Sequence, residues 1–301
     1  MKTTCTQIIS DLESAGYYAA FLPFNRLEQI IRHYDDLAEK FGTVEYLQNA
    51  VKHMREAKTD IPFTPLSFLV TAYADCPAEI VFNDRGKRQV IPIPPTYRNF
   101  EAMGVQLDEL LKTAAEGYQI TPCRGVSQKL LAVYSGLGRY GRNNIFYLKD
   151  RGSYFHLRAV ITDIPCEDIS FPMQFMDECG SCGLCRKNCP TGAITDAAAI
   201  DAGKCLTLMN EHKNPIPDWV KPEIHHAAIG CLRCQENCPQ NKKLPAVKAQ
   251  TLELDEAETE FLLSADFVTL TPGLEKKFRD FRLHEFSYGV IGRNARLILR
   301  K

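Results

Sequence analysis

Between Cys179 and Pro190 the chain reads C-G-S-C-G-L-C-R-K-N-C-P, placing four cysteines two, two and three residues apart and ending on proline. Such a stretch is too rich in thiols and glycine to build a core element. It has to curl around something. Cysteine thiolate is a soft ligand suited to iron–sulfur clusters, zinc and copper(I). Gly180, Ser181 and Gly183 let the loop bend tightly and leave backbone N–H groups free to point inward. A second run, C-L-R-C-Q-E-N-C-P, carries Cys231, Cys234 and Cys238 and ends in the same Cys-Pro step. Zinc accepts paired C-x2-C tetrahedrally, but it has no use for four cysteines within twelve residues. The C-x2-C-x2-C-x3-C-P spacing is that of 4Fe–4S proteins in which the fourth cysteine serves the other cluster of a pair.

Two such clusters need eight thiolates, and the two runs supply seven. Cys205, in K-C-L-T-L between them, is the best eighth. By ferredoxin logic one cluster takes Cys179, Cys182, Cys185 and Cys238, and the other takes Cys189, Cys205, Cys231 and Cys234. Cys5, Cys76, Cys123 and Cys166 stand alone in sequence and read as buried free thiols. Disulfides are the competing use of twelve cysteines. However, Met1–Gly16 has no signal-peptide core, so a reduced, cytoplasmic chain is expected. No apolar run approaches a membrane span, and no membrane partner is expected. Lys and Arg total 36 against 37 Asp and Glu, so no global basic field suggests nucleic acid.

Elsewhere the periodicity mixes helix and strand, which makes α+β the expected class. Helices are expected over 4–15, 25–41, 44–57, 99–118, 127–135, 255–264 and 285–300. Strands are expected over 67–74, 144–148 and 154–164, with a hairpin over 79–93 turning at Asn83–Gly86. His33 and His53 read as solvated helix-face residues, and Asp255, Glu256, Glu258 and Glu260 as a solvated acidic turn. Gly136-Leu-Gly138-Arg-Tyr-Gly141 matches G-x-G-x-x-G, yet a helix precedes it and a strand follows, the reverse of a dinucleotide site. It is then either a helix cap with a tight turn or a loop whose glycines admit a cofactor. The expected domains are 1–165, 166–245 for the cysteine module, and a helical segment 246–301.

The motifs G-L-G-R-Y-G-R-N-N (136–144), G-S-Y-F (152–155), T-D-I-P (162–165), the two cysteine runs, K-C-L (204–206) and R-N-A-R-L (293–297) together resemble the epoxyqueuosine reductases. These are cobalamin-dependent iron–sulfur enzymes of tRNA modification, related to the reductive dehalogenases. The resemblance implies a nitroreductase-like corrinoid-binding domain followed by a ferredoxin-like domain with two 4Fe–4S clusters. It implies cobalamin against Gly136, Gly138, Arg139, Tyr140, Gly141, Asn143, Asn144 and Ser153. It also implies an external electron donor such as flavodoxin or ferredoxin, with tRNA as a possible substrate.

The chain departs from the family at its proton donor. Where the family has an acid in a V-D-T-G-P-like segment, this chain has Q-I-T-P-C-R-G (119–125), with no Asp or Glu. Cys123 takes roughly that place, and Cys123, Tyr140, Asp163 and Tyr97 become the candidate donors. Two functions follow. One is an iron–sulfur, cobalamin-dependent reductase. The other is a ferredoxin-type electron carrier with no substrate of its own.

Overall fold

Gly16, at φ +87°, ends the first helix and turns the chain into a strand that the periodicity did not announce, Tyr17–Pro23. The computed structural model describes residues 4–41, 49, 52–53, 55–56, 61–169, 171–195 and 200–299. In chain order the helices are α1 (Cys5–Ser14), α2 (Leu27–Phe41), α3 (Phe100–Ala114), α4 (Gln128–Tyr134), α5 (Leu184–Asn188), α6 (Leu206–Glu211), α7 (Arg233–Glu236), α8 (Pro239–Lys242), α9 (Glu256–Leu263), α10 (Pro272–Asp280) and α11 (Tyr288–Leu299). The strands are β1 (Tyr17–Pro23), β2 (Ser67–Ala74), β3 (Ala78–Asp84), β4 (Lys87–Ile93), β5 (Ile120–Pro122), β6 (Arg139–Tyr140), β7 (Phe146–Tyr147), β8 (Phe155–Thr162) and β9 (Gln250–Leu254). The α+β class holds. The helix expected over 44–57 lies for the most part outside the described residues.

The chain forms two compact units. The first joins Met1–Ala74, Gly104–Cys182 and Thr195–Ala202; the second joins Asp75–Met103, Gly183–Ile194 and Gly203–Lys301. These units interleave in sequence.

The first unit holds an antiparallel sheet in the order β1-β2-β8-β5. Its central strand β2 is apolar on both faces because both are covered. Phe68, Val70 and Ala72 pack with Leu27, Ile30, Leu130 and Ile161. Leu69 points the other way, into Ile8, Leu12, Leu107, Leu111 and Val160. Phe68 and Leu69 are fully buried, each contributing roughly 1.5–3 kcal/mol. Ser127 caps α4 by accepting the Leu130 N–H.

The second unit holds the hairpin. Arg85 (φ 51°) and Gly86 (φ 71°) both take the left-handed conformation that a two-residue turn requires. β9 then pairs with β3 in parallel, Ala78 opposite Gln250 and Phe82 opposite Leu254. Ile80, Phe82, Ile91 and Ile93 pack against Leu262, Phe278, Val290 and Ile291 from α9–α11. The acidic turn is solvated as expected at Asp255, Glu256 and Glu260, and it also caps a helix. Asp255 and Glu258 form a reciprocal capping box on α9, and Glu258 also pairs with Lys277 at 2.6 Å.

Candidate metal centre

Both Cys-Pro steps act as structural punctuation. A residue before proline is pushed out of the helical region. Cys189 (φ −72°, ψ 114°) accordingly ends α5, and Cys238 (φ −71°, ψ 126°) sits at the start of α8 with Pro239 at its first position. Cys205 occupies the equivalent N-cap of α6, and Cys231 lies two residues before α7, which contains Cys234. All five belong to the second unit, as does Cys185 within α5.

Freed backbone N–H groups converge on these sulfurs. Burial pushes the Cys189 thiol up. The Thr191 hydroxyl and the N–H groups of Thr191, Ala193 and Ile194 outweigh burial and hold it below its ordinary value. Burial raises Cys205 against hydrogen bonds from Thr207 and Leu208, with the neighbouring Cys189 adding to the rise. Cys231 is pushed up to about 12, first by burial and then by Cys205 and Cys189, while the Arg233 N–H pulls the other way. Within one expected ligand set, then, Cys189 raises Cys205 and both raise Cys231, while hydrogen-bond donors face each of the three. Thiolates so crowded fit a cationic core that neutralises them together. Among the described residues, no group of three or more His, Cys, Asp or Glu residues is placed to hold a single metal ion. The ligands of a four-iron cube bind separate irons.

Residues outside the two cysteine runs complete this wall. Tyr97 is buried, and its hydroxyl donates to Glu211 on α6. Burial pushes the Tyr97 hydroxyl far up, with Glu211, Cys205 and Cys231 adding to the rise, and burial likewise raises Glu211. Gly230, beside Cys231, leaves room for the Tyr97 ring, which a Cβ there would meet at 2.5 Å. His226 Nε2 accepts the Leu232 N–H at 3.2 Å and lies 3.8 Å from Cys231 Sγ. The R-N-A-R motif is structural. Arg293 donates to the carbonyls of Met209, His212 and Asn214, and Asn294 to those of Asn210 and Ala228, so α11 holds α6 in place. Tyr97 therefore belongs beside the cysteine module's second ligand set, not among donors in the first unit.

Cys179 and Cys182 belong to the first unit, along with the loop 136–144. Gly136 (φ 75°) caps α4, and a Cβ there would strike the Phe171 ring at 2.3 Å. A Cβ on Gly138 would strike Phe146, and one on Gly141 would strike Tyr147. The close approaches that need glycine are thus to the chain's own aromatic rings. Arg139 pairs with Asp177 at 2.9 Å. Asn143 donates to the Tyr147 hydroxyl and accepts the Ile145 N–H, while Asn144 accepts Lys129 Nζ on two oxygens at 3.0 Å. Ser153 is buried, and its carbonyl accepts the Phe155 N–H. Arg139, Asn143 and Asn144 thus have polar side-chain partners within the first unit, and Ser153 has one through its backbone.

The candidate donors also have other work. Cys123 is buried among Val126, Leu130 and Ala159, and burial alone pushes its thiol up to about 12. Tyr140 lies in the same core, raised far above its ordinary value chiefly by burial, with a hydrogen bond to Ser127 acting against the rise. Asp163 accepts the Gln119 N–H at 2.8 Å and ties β8 to the start of β5. Two isolated cysteines are neighbours after all. Cys5 donates to the Pro165 carbonyl, and its charge contributes to raising Cys166. His33 is half-buried, with its pKa lowered chiefly by burial, whereas His53 is exposed as expected.

A family model described as a 4Fe-4S double cluster binding domain matches residues 178–241. An epoxyqueuosine reductase of Francisella cf. novicida (strain Fx1) is 31% identical over 177 residues, covering 58% of this chain and 48% of that protein. The chain is thus similar to the epoxyqueuosine reductases over its middle portion. A second epoxyqueuosine reductase, from Escherichia coli (strain K12), is 30% identical over 51% of this chain and 39% of its own length. The chain therefore spans about half or less of the curated epoxyqueuosine reductases it matches here. The solved epoxyqueuosine reductase of Bacillus subtilis superposes with a TM-score of 0.66 at 21% identity, over 98% of this chain and 80% of the other. At that identity the likeness carries the fold. One solved epoxyqueuosine reductase is bound to an epoxyqueuosine-modified tRNA stem loop; it covers the same shares at a TM-score of 0.65. No helix among the described residues is long and apolar enough to cross a membrane.

Proposed function

We propose that this chain is an iron–sulfur reductase whose two 4Fe–4S clusters pass electrons to a corrinoid that reduces a substrate. In this reading Cys179, Cys182, Cys185 and Cys238 hold one cluster, and Cys189, Cys205, Cys231 and Cys234 the other. The observation that carries it is the crowding of Cys189, Cys205 and Cys231, with Cys189 raising Cys205 and both raising Cys231, among hydrogen-bond donors. That environment suits thiolates bound to a cluster and has no purpose in a free thiol. The corrinoid rests on the family, and would supply a strongly reducing, nucleophilic metal centre when bound. Residues 1–165 would carry it and 166–245 the clusters, with 246–301 packing as a helical segment. In this reading Gly136, Gly138, Arg139, Tyr140, Gly141, Asn143, Asn144 and Ser153 would lie against the corrin. Epoxyqueuosine in tRNA is the substrate class the relatives suggest. Flavodoxin or ferredoxin is the class of external donor, and the cytoplasm the expected compartment.

A ferredoxin-type carrier without a substrate of its own is the second reading. It is favoured by Cys123 and Asp163, which occupy apolar core and sheet edge rather than a reaction site. Anaerobic reconstitution followed by cobalamin titration separates the two. The reductase should bind about eight irons per chain and give the EPR spectrum of base-off cob(II)alamin. A full iron load with an unperturbed corrinoid spectrum would leave the carrier. No iron uptake would sink both.

A further inference from the structure

The glycine loop has an edge that the resemblance did not assign. β6 pairs with β7 on one side, Arg139 opposite Tyr147. On the other side Tyr140 N–H donates to the Gln174 carbonyl and the Tyr140 carbonyl accepts the Met176 N–H, both at 2.9 Å. This parallel bridge, Tyr140 to Phe175, zips the loop to the segment leading into Cys179. The Arg139–Asp177 ion pair continues the zip by one side chain. Arg142 completes it. Its backbone N–H donates to Cys179 Sγ at 3.4 Å. Its guanidinium Nη2 donates to the carbonyls of Cys179 at 2.6 Å and Gly180 at 3.2 Å.

We propose that Arg142 is a positioning residue for the first cluster, fixing its ligand Cys179 and raising that cluster's reduction potential. The inference deepens the proposed function and rests on its assignment of Cys179 to a cluster. Two effects act in the same direction. An N–H bond to a ligating sulfur draws charge from it and favours the reduced, more negative cluster. A guanidinium folded over the ligand's own carbonyl adds positive charge in a partly buried place, where screening by solvent is weak. A single nitrogen, Nη2, reaches both successive carbonyls, and the guanidinium keeps its charge at any accessible pH. The glycines around it then have a mechanical purpose. They let β6 and β7 close tightly enough on Phe146 and Tyr147 for Arg142 to reach the sulfur.

EPR-monitored redox titration of the reconstituted full chain tests this, with iron counted in every sample. Arg142→Gln should keep about eight irons and lower the potential of one cluster only. The expected size is a tenfold fall in the reduced-to-oxidised ratio at the wild-type midpoint, about 59 mV for one electron. Arg142→Lys keeps the charge on a shorter side chain with different geometry, so it should recover part of that fall; it also carries the test if Arg142→Gln does not fold. Arg151→Gln, an exposed cation on the same stretch, should leave both midpoints unchanged. Unchanged potentials in Arg142→Gln at full iron load would overturn the inference. So would an equal shift in both clusters, or the same shift in Arg151→Gln. A wild-type chain that binds no iron would instead remove the proposed function on which it stands.

Discussion

Cys189 and Cys123 are the same residue in opposite solvents. Cys189 is met by one hydroxyl and three backbone N–H groups, which hold its thiol down against burial. Cys123 is met by aliphatic side chains and is pushed up to about 12. The first environment is built for a sulfur that carries charge, and the second for one that does not. In this fold a cysteine's role is therefore read from the N–H groups around it and not from its place in a motif alignment. That is why Cys123, although it stands near the family's acid position, is a core residue here.

The widest gap between the two should appear in iron content. Cys205→Ala removes one ligand of the second set and should leave about four irons per chain, while Cys123→Ala should retain about eight. Equal loss in both would break the contrast. Alkylation of the metal-free chain sharpens it, because the thiolate is the reacting form. Near pH 8, iodoacetamide should modify Cys189 on the order of a hundredfold faster than Cys123 or Cys231, the latter also pushed up to about 12. Raising the pH toward 10 should narrow that ratio, as read by peptide mass spectrometry. A smaller effect is expected from Cys123→Ser. Placing a hydroxyl among Val126 and Leu130 should cost about 1–3 kcal/mol in denaturant unfolding, with no change in iron.

The smallest effect concerns Glu211. Burial raises its pKa in the folded chain, so its contribution to stability is present below the ordinary carboxylate range and lost as pH rises through the raised value. Gln does not titrate. The melting temperature of Glu211→Gln relative to wild type should therefore climb by about 1–2 °C between acid and neutral pH. A flat difference would mean that Tyr97 donates to a carboxylate no harder to ionise than in water.

Much of this was legible in the sequence wherever the signal was local. Ser67–Ala74 reads as a buried strand from its unbroken apolar run, and the hairpin turn from Asp84-Arg85-Gly86. The cysteine runs declare their chemistry by spacing. What escaped depended on partners distant in sequence. Gln250–Leu254 alternates correctly for a strand, but its partner β3 lies some 170 positions earlier. Tyr17–Pro23 is apolar without alternation because both of its faces are covered. α10 hid behind Thr271-Pro272-Gly273, which looks like a turn. It is a Thr cap with proline at the first helical position, a start signal that was there to be read. Tyr97 and Glu211 could not have been joined by any spacing rule, since they meet only through α6 and the 97–99 segment that pairs with 282–284.

The parallel pairing of β3 with β9 also sets a schedule. As the chain leaves the ribosome, Ile80, Phe82, Ile91 and Ile93 emerge long before Leu252, Leu254 and Leu262, which cover them. At ordinary translation rates that delay lasts roughly ten to thirty seconds. Throughout it a sticky hairpin edge is unguarded, and all eight cysteines of the two proposed ligand sets are synthesised before it ends. A nascent chain of this kind has reason to be held by chaperones until its final strand arrives, and iron delivered earlier would reach ligands whose supporting wall does not yet exist.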